Sequence, residues 1–239
     1  MKTYTLFLTF ILSCLSTSVF ALEWQSTELQ MLYGRDYKLG EKHRTIMTVS
    51  HANEWKYGYN AFFFDVAQPF EPDADVYFEG YTWLSYEKMT GNQNRINFGI
   101  IDDVMLGAGI TADAETPVHL YGLTLGLKIP HFDVFTLDLF AHDHSMHNEI
   151  TYAITPYWST DFNIKNMHLR FRGFVTFTGE NGENARQISA QPQLLMDIGQ
   201  YWGLDNKLFM GIEYLYYRNK YGVKGTTESM PQAMIMLEF

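Results

Sequence analysis

The sequence predicts an all-β protein, a 12-stranded antiparallel transmembrane β-barrel. Three observations carry this. Stretches of about ten residues alternate apolar and polar side chains with the period of two that belongs to a strand. After the first 21 residues no window holds 18 consecutive apolar residues, so no helical span is expected there. The chain also stops on an aromatic, Phe239, at the end of an alternating stretch. There Ala233, Ile235, Leu237 and Phe239 share one face, and Gln232, Met234, Met236 and Glu238 the other. An unpaired edge strand invites aggregation, so a terminal strand of this kind is expected to pair with the first and close a ring.

The first strand is expected over residues 24–33, with Thr27, Leu29, Met31 and Tyr33 against Ser26, Glu28 and Gln30. A polar loop over 34–42 leads to a second strand over 44–51, where Ile46 and Met47 compete for the apolar side. Asn53-Glu54 is read as a turn and 57–65 as an aromatic third strand. After a loop with Pro69 and Pro72, the fourth strand (75–86) sets Val76, Phe78, Thr82 and Leu84 against Tyr77, Glu79, Tyr81 and Trp83. Thr90-Gly91-Asn92 is a turn signal. The fifth strand (95–104) needs a bulge if Asp102 and Asp103 are both to face inward, and 107–117 reads as a loop.

The sixth strand alternates cleanly, Tyr121, Leu123, Leu125, Leu127 and Ile129 against Gly122, Thr124, Gly126 and Lys128, and turns at Pro130-His131. The seventh sets Phe135, Leu137 and Leu139 against Thr136, Asp138, Phe140 and His142, before a His-rich loop over 142–148. The eighth sets Ile150, Tyr152, Ile154 and Trp158 against Thr151, Thr155 and Tyr157, and the ninth Leu169, Phe171, Val175 and Phe177 against Arg170, Arg172, Phe174 and Thr176. A loop over 178–186 follows. The tenth sets Ile188, Leu194, Met196 and Ile198 against Ser189, Gln191, Gln193 and Asp197. The eleventh sets Leu208, Met210, Ile212, Tyr214 and Tyr216 against Gly211, Glu213 and Tyr217, and a loop over 218–227 precedes the closing strand. An even number of strands puts both chain ends in the periplasm.

Residues 1–21 read as a secretory signal peptide: Lys2, a short apolar run over 6–15, and Val19-Phe20-Ala21 at the cleavage site. The run is too short to span a bilayer. The domain is then 22–239, and the single cysteine, Cys14, leaves with the leader. Disulfides, a thiol nucleophile and a thiolate metal site are thereby excluded from the mature chain. The formal charge of −10 argues against nucleic acid, whose phosphates require a basic face. Aromatic residues make up 16% of the chain, which suits interfacial girdles.

Alternation alone does not separate a membrane barrel from a soluble lipocalin-like one. Charges on the polar faces suit a water-filled lumen, and Tyr33, Tyr86, Tyr121, Trp158, Tyr214 and Tyr216 fall at girdle height on the other face. The lumen is therefore the expected working surface. Its aromatics would be Phe62, Phe64, Tyr77, Tyr81, Trp83, Phe140, Tyr157, Phe174 and Tyr217. Its charges would be Glu79, Arg170, Arg172, Asp197 and Glu213, with the two acids of strands ten and eleven facing the arginines. Aromatic faces beside charges offer stacking for a nucleobase and hydrogen bonds for a ribose; equally, they fill space and pair with one another.

His142-Asp143-His144-Ser145-Met146-His147 contains metal-ligand types and the members of a Ser/His/Asp triad, but its spacing matches neither motif. No cofactor, no metal and no catalytic residue is expected.

Four blocks resemble the nucleoside-specific channel-forming outer membrane proteins of the Tsx/OmpK type. They are 24–34 with the following loop; Trp55-Lys-Tyr-Gly-Tyr-Asn-Ala-Phe-Phe-Phe-Asp65, with Tyr59 where the family pattern has Asp; Lys128-Ile-Pro-His-Phe-Asp-Val-Phe, with His131 in place of Gly; and the C-terminal region. That last block comprises Gln191-Pro-Gln-Leu-Leu-Met-Asp197, Gly211 to Val223, Glu228, Pro231-Gln-Ala-Met and Phe239. The resemblance implies a barrel in the outer membrane of a Gram-negative bacterium, passing nucleosides by diffusion. It also implies contact with outer membrane lipids, recognition by the barrel assembly machinery through the strand ending in Phe239, and use as a bacteriophage receptor. The alternative is a closed or general porin-like barrel serving as adhesin or phage receptor. A third reading is a membrane hydrolase using His142 or His144.

Overall fold

The structure, a computed structural model, describes residues 22–72, 74–91, 98–112, 117–146 and 149–239. The leader, the start expected for the fifth strand at Arg95, and His147 lie outside the described residues.

Strands β1 (Trp24–Arg35), β2 (His43–Trp55), β3 (Gly58–Ala67), β4 (Asp75–Ser85), β5 (Ile101–Ala112) and β6 (Pro117–Leu127) each pair antiparallel with the next. The series continues through β7 (Val134–His144), β8 (Ile150–Ile164) and β9 (Met167–Thr178). The tenth strand, β10, comes in two pieces, Gln187–Ala190 and Gln193–Asp197, each lying between β9 and β11 (Leu208–Arg218) in one continuous register. The break falls at Pro192, which has no N–H to give to a ladder. Opposite it stands Gly173, where a Cβ would lie 2.6 Å from Pro192 Cα. The last strand, β12 (Thr227–Glu238), pairs with β11 and then with β1, Leu29 opposite Leu237 and Met31 opposite Ile235. Among the described residues the sheet is thus a closed, twelve-stranded antiparallel ring. Among these residues no edge strand is left.

Alternation divides each strand between two faces. Leu106 and Ile212 stand outward at 59% and 52% exposure, joined by large apolar residues such as Leu29, Leu123, Leu139, Leu194 and Ile235. Facing inward, Phe209, Leu195 and Met236 are fully buried. An outward apolar belt of this extent is unusual for a surface in water. Among the described residues no helix is long and apolar enough to cross a membrane, and the barrel does not need one.

The structure corrects several expected boundaries. Asn53-Glu54 lies in β2, which runs on to Trp55 and turns at residues 56–57. Met47 faces outward and Ile46 inward, packed against the interior clusters. The stretch expected as a loop from Gly107 is the heart of β5, paired with β4 and β6. Gly107 and Gly109 lie opposite Trp83 and Tyr81, whose rings occupy the space of the missing side chains; a Cβ on Gly107 would come within 2.5 Å of Phe140 and 2.9 Å of Trp83. The expected irregularity at Asp102 and Asp103 is a register shift between Ile101 and Asp103. A short helix, α1 (Tyr86–Thr90), leads into the expected turn, capped by the Ser85 hydroxyl accepting from Lys88 N–H and ended by Gly91 in the left-handed region; Asn92 lies outside the described residues. Finally, β7 runs through His144, so the His-rich segment begins as strand.

Candidate functional site: the barrel interior

One side of the interior is an ion-paired layer over an apolar one. Arg172, on the inner face of β9, reaches across the interior to Glu28 on β1, with Nη1 2.5 Å from Oε1 and Nη2 2.8 Å from Oε2. Glu28 also accepts from Gln30 and Ser50. Arg172 Nε donates to Gln193 Oε1 at 2.8 Å, and Gln193 Nε2 donates to Glu213 Oε2 at 2.7 Å. Arg170 makes a two-pronged bond to Asp161 at 2.8 and 3.1 Å and a third bond to Glu238 at 2.7 Å. Its guanidinium stands 4.7 Å from the Phe209 ring. Below these heads Leu32, Leu195, Phe209, Met234 and Met236 form one cluster. Forked arginine–carboxylate geometry is the strong form of the ion pair, and burial makes its loss costly.

The opposite wall is acidic and aromatic. Glu79 accepts from Tyr77 Oη at 2.5 Å and from Tyr81 Oη at 2.6 Å. Asp65 accepts from Thr48, and Asp138 from Thr124, both at 2.5 Å. Tyr81 and Trp83 stack with centroids 5.5 Å apart and pack on Val118, Leu120, Phe140 and Ala153. Among the described residues none of Asp65, Glu79, Asp138 and Glu213 has a cationic side chain at ion-pair distance; each is held by hydroxyl or amide donors. These four interior carboxylates thus have no countercharge at ion-pair distance, while Arg170 and Arg172 are matched.

Between the walls Tyr157 and Phe174 form a cross-strand pair on the inner face. Tyr157 keeps 36% exposure, so part of its ring is open to lumen water, and it stands within the electrostatic reach of Arg172 and Glu28. Tyr217 also faces inward and donates to Gln187 at 2.9 Å.

Most residues expected in the lumen are therefore there: Tyr77, Glu79, Tyr81, Trp83, Phe140, Tyr157, Arg170, Arg172, Phe174, Glu213 and Tyr217. Three expectations are corrected. Phe62 and Phe64 point outward, in register with Gly80 and Phe78. Phe63 takes the inward place beside Tyr77, with centroids 6.0 Å apart. Three consecutive phenylalanines carry no alternation; the parity comes from Asp65, which must meet Thr48. Asp197 does not oppose the arginines. Its carboxylate accepts from Gln200 N–H at 3.2 Å and Asn206 N–H at 2.8 Å, capping the turn that follows β10. Glu213 meets Arg172 only through Gln193. Of the arginines' partners, Asp161 is the cross-strand neighbour of Arg170 in the β8–β9 hairpin, while Glu28 and Glu238 lie on strands far away in sequence, so no local window pairs them with the arginines.

His142 and His144 share the inner face of β7, ring centroids 6.4 Å apart. Among the described residues no three His, Cys, Asp or Glu side chains gather as a metal site would require. Ser145 Oγ donates to the Pro117 carbonyl rather than to a histidine, which is not the geometry of an activated nucleophile.

No family model matches the chain, and no curated protein matches it. Among solved structures, the barrel is similar to KdgM porin, with a TM-score of 0.53 and 9% identity over 90% of this chain and 99% of that one. A second structure, KdgM porin in complex with disordered oligogalacturonate, matches equally, at TM-score 0.53 and 9% identity over the same shares. At that identity the likeness is one of fold.

Proposed function

We propose that this protein is a non-enzymatic outer membrane channel for passive diffusion of small polar solutes, with nucleosides as its preferred class. The outward apolar belt would meet acyl chains, and the polar interior would be the passage. One observation carries the preference. The partly open Tyr157–Phe174 pair lies on the same inner face as the Arg172–Gln193–Glu213 relay. A base can stack on the aromatic pair while ribose hydroxyls exchange hydrogen bonds with the relay, each contact weak enough to permit exit.

The charge balance narrows the class further. Oligogalacturonate, found with KdgM porin, is a polyanion. The four unmatched carboxylates here oppose a polyanion and tolerate neutral or cationic solutes, and nucleosides are neutral at pH 7. Liposomes carrying the protein should swell faster with uridine than with a hexose or with galacturonate. Equal rates for all three would remove the preference.

A second reading, an occluded barrel acting as adhesin or phage receptor, draws on the filled side of the interior, where Leu195, Phe209 and Met236 are fully buried. Liposomes that do not swell with any small solute would favour it.

A further inference from the structure

At the mouth opposite the chain termini, two loops of the protein send side chains inward, Tyr37 from one and Lys220 from the other. In the loop over 36–42, Tyr37 turns into the barrel while Asp36, Lys38, Gly40, Glu41 and Lys42 stay exposed. Tyr37 is 4% exposed and packs on Leu215 and Met230, inner-face residues of β11 and β12. Gln232 Nε2 donates to its hydroxyl at 2.9 Å, and the Arg44 guanidinium stands 4.9 Å from its ring. From the other side, residues 219–226 carry Lys220 inward. Its ammonium lies 5.1 Å from the Tyr221 ring, 5.7 Å from Tyr217 and 5.9 Å from Tyr37.

Both loops meet on one carboxylate. Glu228, on the inner face of β12, is fully buried. Its Oε1 accepts the backbone N–H of Lys38 at 2.9 Å and of Leu39 at 3.3 Å. Its Oε2 accepts from Lys220 Nζ at 2.6 Å. A loop drawn out of water must have its backbone donors satisfied, and a buried carboxylate must have its charge matched. Glu228 does both at once, so the departure of either loop would leave one of its buried carboxylate oxygens without its donor.

We propose that Glu228 is a latch: it holds residues 36–42 and 219–226 inside this mouth and so sets the width of the passage there. The width claim rests on the channel reading above; the latch itself does not.

Two variants test it, Glu228→Gln and Lys220→Met, each first shown to be folded by its mobility on an unheated gel against a heated one. The first readout is trypsin cleavage after Lys38, because the Leu39 amide in that bond is one of the groups given to Glu228. The second is single-channel conductance in planar bilayers. Wild type should resist cleavage; both variants should be cut there, and their conductance should rise at least about two-fold. Wild-type current with no gain and no new cleavage in either variant overturns the latch and leaves the channel reading standing. New cleavage without a change in a measurable current overturns the width claim. No current in any form, with new cleavage in the variants, overturns the channel reading while the latch survives.

Discussion

Arg172 and Glu28 are 144 residues apart in sequence and meet in a forked ion pair across the barrel interior. The side chains keep only 15% and 10% of their exposure, so neither charge has water to fall back on. Replacing one partner, as in Glu28→Gln or Arg172→Met, should destabilise the barrel by roughly 3 kcal/mol, the cost of an unmatched buried charge. The double replacement Glu28→Gln/Arg172→Met should cost less than the sum of the two single losses. The urea concentration at which the folded gel band is lost measures both; a double variant whose loss equals the sum of the two single losses would contradict the pairing.

On the proposed channel reading, the four carboxylates held by neutral donors should set the sign of ion selectivity. Removing one by Glu79→Gln or Asp138→Asn should take away about 1 kcal/mol of attraction for a cation passing at ~4 Å in water, roughly five-fold before salt screening. Reversal potentials in a KCl gradient should show a cation-preferring wild type and a weaker preference in each variant. An anion-preferring wild type would overturn the charge argument.

Much of this was legible along the chain. Alternation assigned the faces of β1, β4 and β6 through β12, since each carries at least three polar–apolar steps. It failed where the pattern is absent. Phe62, Phe63 and Phe64 are alike, and the ring that turns inward, Phe63, is the one that shares a face with Asp65, which meets Thr48 on β2. Gly107 and Gly109 resemble loop residues because the reason for them, the Trp83 and Tyr81 rings, lies on another strand. Asp197 has the composition of a lumen charge and the surroundings of a turn cap. The site's partners were the least visible: Arg172 meets Glu28 because the ring closes, and no local window contains that fact.

Gly173 tests the break in β10. Its φ is 155°, and a Cβ would lie 2.6 Å from Pro192 Cα and 2.7 Å from the Gln191 carbonyl oxygen. Gly173→Ala should therefore cost about 1–3 kcal/mol through backbone strain and overpacking. The same urea assay reads it, and a wild-type midpoint would show that the strand can shift to make room.

Tyr37 supplies a pH dependence outside the spanning strands. Burial, opposed by the Arg44 guanidinium, pushes its hydroxyl from 10.0 up to about 12. A phenol whose value is raised in the tucked loop stabilises that loop fully below its free value and loses this contribution as pH rises toward 12. The difference in tyrosinate absorbance between wild type and Tyr37→Phe should titrate near 12, not near 10. A midpoint near 10 would mean that the ring is solvated and the loop is not tucked.

Single-channel recording in planar bilayers tests the passage most directly. The arrangement of Tyr157 and Phe174 beside Arg172 predicts a steady ion current that uridine or adenosine reduces in a saturable way, while a hexose at equal concentration does not. Tyr157→Leu should weaken that block about ten-fold, in keeping with roughly 1–3 kcal/mol for stacking one base. Absence of current, or equal block by hexose and nucleoside, would contradict the account.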